Sequence, residues 1–361
     1  MTDKVELKKA ILTPNGEVRM IDWAGAINLL PLEYGLIGKM GVFDNRFGTQ
    51  KDFFVTKRIQ DDMPLLEDRN WETTRPTLAR QEYTGVKFPI GHYPVADMIM
   101  PSDIDGLANV ESLVPGTEME SVARLRTEKI DRIRKVHTQF HEFVRGYALT
   151  TGKVYAPNGT LKTSYGTEVD VYAEWGIVRG TAQVDLTVGT NPLSSVNTLF
   201  GELQGRARSG DALTGYVVLC GKTFFQDLIT NEYISEIFAQ AQLLGRQSLL
   251  VGRLGNELGL DARYRSFDYG GVLFVEAPDV IGGRPVVAAD KGVAFPLGTK
   301  LGRLHFAPPN RFDTLNRVSQ ASYLWEKMGE DQDKLELTSE TNVSAVLDRP
   351  DLVIDVTYVK V

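Results

Sequence analysis

One uninterrupted helix-forming segment, from Thr117 to about residue 149, is the feature that most constrains this fold. Its length of roughly 30 residues corresponds to about 45 Å at the rise of an α-helix. Such a rod is too long to be enclosed in a compact domain of a 361-residue chain. Thr117 and Glu120 can form a capping box at its start, and Gly152 marks its end. We therefore predict a plate-shaped rather than a spherical molecule.

The predicted helix has an apolar stripe and a charged face. The stripe predicts packing on a partner surface, because its members recur at spacings of three and four: Ile133, Val136, Phe140, Phe143 and Tyr147. The opposite face carries charges of both signs: Arg124, Arg126, Glu128, Lys129, Asp131, Arg132, Arg134 and Lys135. Exposure to solvent is the simplest interpretation of this face, and contact with another subunit is the alternative.

The composition is that of a soluble globular protein of one or two domains, with 42% hydrophobic and 24% charged residues. The net charge of −7 argues against a dedicated nucleic-acid binder, which needs a basic face to collect phosphates. The single cysteine, Cys220, follows an apolar run and is expected to be a buried thiol in a reducing compartment. Residues 1–4 do not start like a signal peptide, which predicts a cytoplasmic protein.

The first third of the chain suggests two segments that lack a core of their own. Residues 1–50 are rich in glycine and scattered hydrophobes without sustained periodicity, and we expect an arm lying on another surface. Residues 51–59 and 83–90 are β-prone and enclose a polar stretch, which predicts a long two-stranded excursion. A projecting hairpin of this kind needs a neighbour to pack against.

The rest of the chain alternates between strands and helices. Asn158-Gly159 predicts a hairpin turn, and residues 168–172 alternate as a strand does. Helices are predicted over 194–208 and 232–244, with strands at 216–219, 271–276 and 285–289. Strands are also predicted at 334–338 and 352–359, and the last of these is expected to join the sheet of the first domain.

No motif in the sequence predicts catalysis or cofactor binding. His137 and His141 lie four residues apart on the long helix, but the glutamate arrangement of a zinc protease is absent, and we interpret them as surface residues. Gly252, Gly255 and Gly259 lack the lysine of a phosphate-binding loop and are expected in a surface loop. Acidic groups such as Asp61 with Asp62, and Glu330 with Asp331 and Asp333, read as solvated loops. We predict no catalytic, cofactor or metal residue.

The order of these segments resembles the major capsid proteins of tailed bacteriophages, in particular the lambda-type major capsid protein E family. The likeness is carried by residues 52–56, 124–147 with 153–163, 217–228, and above all by the tail. The tail contains Phe306-Ala307-Pro308-Pro309, Asn316, residues 323–327, residues 335–342 and Asp348-Arg349-Pro350-Asp351-Leu352-Val353. The proline-containing turn of the family corresponds here to residues 341–344, so a turn is expected there.

The resemblance implies an α+β protein with the Hong Kong 97-type phage capsid fold. Residues 1–50 would be the N-terminal arm, 51–92 the extended loop, 93–212 with 319–361 the peripheral domain, and 213–318 the axial domain. The helix at about 117–149 would be the spine of the peripheral domain.

The same resemblance implies a structural function and no enzymatic activity. Copies of the chain would form hexamers and pentamers of an icosahedral shell around double-stranded DNA, contacted weakly and non-specifically. Portal, scaffolding and decoration proteins would be partners, the location would be the virion, and assembly would take place in the host bacterial cytoplasm. Two alternatives are an encapsulin-like compartment and a metal-dependent enzyme centred on His137 and His141.

Overall fold

The computed structural model describes residues 9–12, 18–22, 27, 35–58, 83–103, 118–155, 170–207, 212–243, 263–314, 316–329 and 334–360. In chain order, the described helices are α1 (Leu36–Met40), α2 (Glu118–Thr151), α3 (Val171–Trp175), α4 (Leu193–Arg206), α5 (Lys222–Thr230) and α6 (Glu232–Leu243), with a 3₁₀ turn at Pro350–Leu352. None of the described helices combines the length and apolar character needed to cross a membrane.

The strands fall into two large sheets and two hairpins. The strands are β1 (Lys9–Leu12), β2 (Val18–Asp22), β3 (Phe43–Phe47), β4 (Asp52–Arg58), β5 (Tyr83–Pro89), β6 (Gly91–Ile99), β7 (Gly180–Asp185), β8 (Gly215–Cys220), β9 (Ser266–Tyr269), β10 (Val272–Glu276), β11 (Val280–Ile281), β12 (Arg284–Pro285), β13 (Gly292–Leu297), β14 (Gly302–Phe306), β15 (Tyr323–Met328), β16 (Leu335–Leu347) and β17 (Ile354–Val359).

The long helix of the sequence prediction is confirmed as α2, within two residues of both predicted limits. It ends at Gly152, whose φ of 71° lies in the left-handed region that glycine adopts without strain. The amide of Gly152 donates to the carbonyl of Ala148 and closes the last turn. The predicted capping box at Thr117 lies outside the described residues.

A seven-stranded sheet is organised around β16, which has 13 residues. Its strand order is β1-β2-β15-β16-β14-β3, and β6 pairs with β16 in addition. Residues 341–344 are therefore part of a continuous strand, and the turn expected there is wrong. The first 50 residues contribute β1, β2 and β3 to this sheet, so the expected lack of regular structure is wrong for those three strands.

The second sheet has six strands in the order β7-β17-β13-β8-β10-β9. Its central strands β8, β10 and β13 are almost entirely buried, because apolar clusters cover both faces of the sheet. The C-terminal strand β17 pairs with β7 in parallel and with β13 in antiparallel orientation. It therefore joins strands of the predicted peripheral and axial segments alike, which the prediction for the C-terminus did not include.

Several shorter predictions are confirmed and two are corrected. The helices α4 and α6 and the strands β8 and β10 lie where the sequence places them. Residues 171–175 form the helix α3 instead of a strand, since the Asp170 carboxylate accepts from the amides of Tyr172 and Ala173 and caps a helix. Of the strand predicted at 285–289, only Pro285 is in a strand, β12. The Asn158-Gly159 turn lies outside the described residues.

The predicted excursion is present as the two-stranded antiparallel ladder of β4 and β5, from Asp52 opposite Pro89 to Arg58 opposite Tyr83. Val55 and Phe88 anchor the base of this ladder in the main core, whereas Phe54 is 67% exposed. The segment between the two strands lies outside the described residues, as does the acidic pair Asp61 and Asp62. The hairpin therefore presents an aromatic side chain on the surface of the chain.

Candidate functional site

The interface between α2 and β16 is more polar than the sequence prediction allowed. His137 and His141 are 1% and 5% exposed, so the interpretation of both as surface residues is wrong. His137 Nε2 is 2.7 Å from Ser339 Oγ, and His141 Nε2 is 2.8 Å from Thr341 Oγ1. Four helix residues advance about 6 Å and two strand residues about 6.7 Å, so the helix runs in step with the strand. We call these four side chains the polar seam.

The direction of the hydrogen bonds in the polar seam fixes the tautomer of both imidazoles. Ser339 Oγ donates to the carbonyl of Tyr323 at 2.6 Å, and Thr341 Oγ1 donates to the carbonyl of Ala321 at 2.8 Å. Each hydroxyl has thereby used its hydrogen and accepts from the histidine, so Nε2 carries the ring proton in both cases. Two parallel hydrogen-bond chains connect the helix through β16 to Tyr323, the first residue of β15, and to Ala321 just before it.

Both imidazoles of the polar seam are neutral at pH 7. Burial lowers the pKa of His137 to about 4, and the positive charge of Arg134 adds to that effect. Burial also lowers the pKa of His141 well below its usual value, with Arg145, His137 and Arg134 contributing in the same direction. A neutral imidazole that donates to a hydroxyl of β16 stabilises the packing of the helix on the sheet.

The prediction that Arg134 belongs to the exposed charged face is wrong. Its side chain is buried, and its Nη1 lies 3.3 Å from Ser322 Oγ. The predicted apolar stripe needs a matching correction. Ile133 and Phe143 are buried as expected, and Phe140 and Tyr147 are half-buried, but Val136 is 41% exposed. The buried face of α2 therefore includes the polar residues Arg134, His137 and His141 and leaves Val136 outside.

The Glu142 carboxylate attaches α1 to the long helix. Its Oε1 accepts from the amide of Ile37 at 2.5 Å and its Oε2 from the amide of Gly38 at 3.0 Å, at the start of α1. Arg145 Nη1 lies 3.6 Å away on the next turn of α2. Burial raises the pKa of Glu142, and Arg145 and the two amides oppose that rise. A side chain at Gly35 would collide with Glu142, so the approach of the two segments requires glycine there.

Replacement of Glu142 by alanine is expected to reduce the free energy of unfolding by about 1–3 kcal/mol, because two buried amides lose their acceptor. Glu128→Ala on the same helix is the matched control, since its pair with Arg124 is exposed and worth at most about 0.5 kcal/mol. Denaturant unfolding of both variants measures the difference. Equal losses would show that the carboxylate does not hold α1.

A cavity of about 430 Å³ opens beside the polar seam. Its walls come from α2, from β3 and from the segment between β14 and β15; they include Phe47, Phe306, Arg134, His141, Arg145 and Val318. Phe47 and Phe306 stack with their ring centroids 5.0 Å apart. The cavity is thus mainly aromatic and aliphatic, with guanidinium groups at one side.

The structure settles some of the sequence-based site predictions. Cys220 is completely buried, as predicted, and burial raises the pKa of its thiol well above the usual value. Gly252, Gly255 and Gly259 lie outside the described residues, as do Glu330, Asp331 and Asp333. Among the residues that the structure describes, no group of three or more His, Cys, Asp or Glu side chains is arranged to hold a metal ion.

Glu142 and the two hydroxyls of the polar seam were not predicted from the sequence. One signal was present in the sequence. Two histidines lie four residues apart on a helix, and two small hydroxyl residues lie two apart on a buried strand, so each set repeats along one face of its element. Ser339 and Thr341 alternate with Glu340 in a strand whose neighbours on the same face, Leu337 and Val343, are apolar. Polar groups in such positions indicate hydrogen-bonded partners across the core.

Comparison with known proteins identifies the family. Residues 22–358 match the family described as phage major capsid protein E, and the chain belongs to this family. The major capsid protein of Pseudomonas phage KPP10 is 31% identical over 336 residues, which cover 90% of this chain and 93% of the relative. The major capsid protein of Salmonella phage Felix O1 is 26% identical over 371 residues, covering 93% and 95%.

A solved structure supports the fold. The putative capsid protein of a prophage of E. coli CFT073 superposes with a TM-score of 0.55 at 12% sequence identity and covers 91% of this chain and 94% of its own. The predicted α+β, Hong Kong 97-type capsid fold is confirmed, and the chain is a major capsid protein of the tailed-phage type. The relatives favour this function over an encapsulin-like compartment and over an enzyme.

Proposed function

We propose that this chain builds the icosahedral shell that encloses the double-stranded DNA of a tailed bacteriophage. The observation that carries the proposal is the match to the capsid family from residue 22 to residue 358, which leaves little of the chain outside it. Hexamers and pentamers of the chain form the shell of the virion, which assembles in the host bacterial cytoplasm. The work of the chain is mechanical, and the hydrogen-bonded polar seam supports that interpretation against the enzyme centred on His137 and His141.

The division of the chain into shell parts is part of the same proposal. Residues 1–50 act as the arm, 51–92 as the extended loop over a neighbour, 93–212 with 319–361 as the peripheral domain, and 213–318 as the axial domain. The exposure of Phe54 on the hairpin of β4 and β5 supports a contact between copies there. The strands of 1–50 that pair with β14 and β15 would position the arm before it reaches another copy.

The partners follow from the same function. A portal and a scaffolding protein take part in assembly, a decoration protein can reinforce the shell, and the packaged DNA is contacted weakly and without sequence preference. The net charge of −7 supports the last point, because an acidic subunit binds phosphates poorly. A pull-down of added DNA by assembled shells that resisted roughly 200 mM salt would contradict it.

Negative-stain microscopy of the purified chain tests the main proposal. We expect closed shells, sheets or capsomers, because each copy offers several surfaces to identical neighbours. Sedimentation velocity over a range of protein concentrations should show particles in equilibrium with small species, since many weak contacts assemble cooperatively. A strict monomer or dimer at all concentrations would contradict the proposal.

A further inference from the structure

The hairpin of β4 and β5 leaves the seven-stranded sheet at one step of the chain, because β5 ends at Pro89 and β6 begins at Gly91. The hydroxyl of Ser344 on β16 holds both sides of this step. Its Oγ accepts from the amide of Gly91 at 3.1 Å and donates to the carbonyl of Pro89 at 3.2 Å. The amide of Ile90 donates to the carbonyl of Lys51 at 3.0 Å and continues the ladder with β4. Hydrogen bonds therefore define the direction of the main chain at this step.

The other strand of the hairpin is held by an aromatic stack. The ring of Phe53 on β4 lies on the imidazole of His305, with the ring centroids 3.6 Å apart and the planes 8° from parallel. Burial, with the charges of Arg303 and Arg46, lowers the pKa of His305 to about 4, so the stacked ring is neutral at pH 7. Within the described residues its buried Nε2 has no hydrogen-bond partner, and the ring contacts the hairpin through its face.

His305 and Ser344 lie directly opposite each other on β14 and β16. Opposite residues of an antiparallel pair point to the same face of a sheet, so both side chains meet the hairpin on one side. Burial of Val55 and Phe88 attaches the base of the hairpin to the main core, but apolar burial has no preferred direction. Hydrogen bonds and ring stacking do depend on direction. We call His305 and Ser344 the hairpin joint.

A small rotation at the hairpin joint becomes a large displacement farther out on the hairpin. Arg58 lies five residues beyond Phe53 on β4, about 17 Å away at the rise of an antiparallel strand. A rotation of about 10° at the joint would move the main chain of Arg58 by about 3 Å. A displacement of that size is enough to break a hydrogen bond or an ion pair with a neighbouring molecule.

We propose that His305 and Ser344 are positioning residues for the contact between neighbouring copies of this chain. They hold the hairpin at one angle to the seven-stranded sheet, so that its outer part, with the exposed Phe54, reaches the same place on each neighbour. A direction that is fixed before assembly leaves less ordering to be done on binding. The inference rests on the proposed function, in which residues 51–92 lie over a neighbouring copy.

The distance between two spin labels on the unassembled subunit tests the hairpin joint. The labels are attached to Phe54→Cys on the hairpin and to Met98→Cys on β6, because both positions are exposed, at 67% and 43%. The natural Cys220 is completely buried and does not compete for the label. A low protein concentration keeps the subunits apart during the measurement.

The two contacts of the hairpin joint are removed by Ser344→Ala and His305→Ala, singly and together. Ser339→Ala is the matched control. Its hydroxyl is also buried on β16 and also bonded on both sides, but it belongs to the polar seam. His305→Phe is the conservative variant, because it keeps an aromatic ring for the stack with Phe53.

We expect the distribution of label distances to be at least about twofold broader in the double variant than in the wild type, since both directional contacts are lost. Each single variant should broaden it by less, and serves in place of the double variant if that protein is insoluble. Ser339→Ala and His305→Phe should keep the wild-type width. A wild-type width without both contacts, or equal broadening in Ser339→Ala, would overturn the inference.

Negative-stain microscopy connects the hairpin joint to assembly. At one protein concentration, the wild type and Ser339→Ala should form closed particles of uniform diameter, and the double variant a spread of diameters or open sheets. Uniform closed shells from the double variant would overturn the role of the joint and leave the shell standing. A wild-type chain without particles would overturn both.

Discussion

Replacement of Gly221 by alanine is expected to push the end of β8 away from residues 288–289 and so to destabilise the six-stranded sheet. A Cβ at this position would lie 2.6 Å from the carbonyl carbon of Ala289 and closer still to the carbonyl oxygen of Ala288. Both are main-chain atoms, and hydrogen bonds hold that segment: the amide of Gly221 donates to Lys291 O at 2.8 Å, and that of Phe224 to Ala289 O at 3.0 Å. We expect a loss of at least about 3 kcal/mol in the free energy of unfolding, or insoluble protein.

The same substitution in a helix provides the control for Gly221→Ala. Gly201 lies in α4 and has no atom within 4 Å of the place that a Cβ would take. Gly201→Ala should leave stability unchanged or raise it by up to about 1 kcal/mol, because alanine is the better helix former. Soluble yield and thermal unfolding compare the two. A Gly221→Ala protein as stable as Gly201→Ala would show that the 288–289 segment can move aside.

The unassembled subunit is expected to lose stability between pH 7 and pH 5 because of the polar seam. The unfolded chain binds a proton on each histidine below a pKa of about 6.5, whereas the folded His137 takes one only near a pKa of about 4. The unfolded state therefore holds more protons in this range, and the free energy of unfolding falls as the pH falls. At pH 5 the loss is about 2 kcal/mol for His137, and His141 contributes in the same direction.

Denaturant unfolding at pH 7 and pH 5 measures this loss, with His137→Gln and His141→Gln together as the comparison. The amide of glutamine can donate to the same hydroxyls but does not titrate. The double variant should keep a smaller pH dependence, because burial also lowers the pKa of His305 to about 4. The Glu142 carboxyl, whose pKa is raised, works in the opposite sense in both proteins. If the free energy of unfolding fell by the same amount between pH 7 and pH 5 in the double variant, groups other than these two histidines would cause the acid sensitivity.

The elements of this fold were largely predictable from the sequence because each has a strong local signal. The long helix carries sustained helical periodicity and ends at a glycine, so both of its limits were predicted within two residues. The strands β8 and β10 are short apolar runs, and the family was recognisable from the tail around Arg349-Pro350-Asp351. These residues lie at a 3₁₀ turn, Pro350–Leu352, where Arg349 Nε is 3.2 Å from Asp351 Oδ1.

The buried side of the long helix could not be predicted from hydrophobicity alone. The stripe was traced through apolar residues, which placed Val136 inside and His137 outside, whereas the structure has the reverse. The physical reason lies on β16, 200 residues away in the chain. There Thr341 supplies the hydrogen-bond partner without which burial of the His141 imidazole would be costly. Partners so distant in the chain are invisible to any window of local sequence.

Glu168 to Tyr172 shows a further limit of pattern reading. The residues alternate as a strand does, but Asp170 satisfies two amides and starts a helix at Val171. A capping side chain outweighs the alternation of a short segment, because five residues carry too little periodicity to compete.

The seven-stranded sheet combines strands from the first hundred residues with strands from the last sixty, which limits how the protein can fold during synthesis. The seven-stranded sheet joins β3, at residues 43–47, to β14 at 302–306, and β6, at 91–99, to β16 at 335–347. A ribosome must release nearly the whole chain before these strands can meet, and sheets with such distant pairings form slowly. β3 and β6 therefore lack their partner strands for most of translation, and their exposed edges make the growing chain prone to aggregation before it meets any other copy.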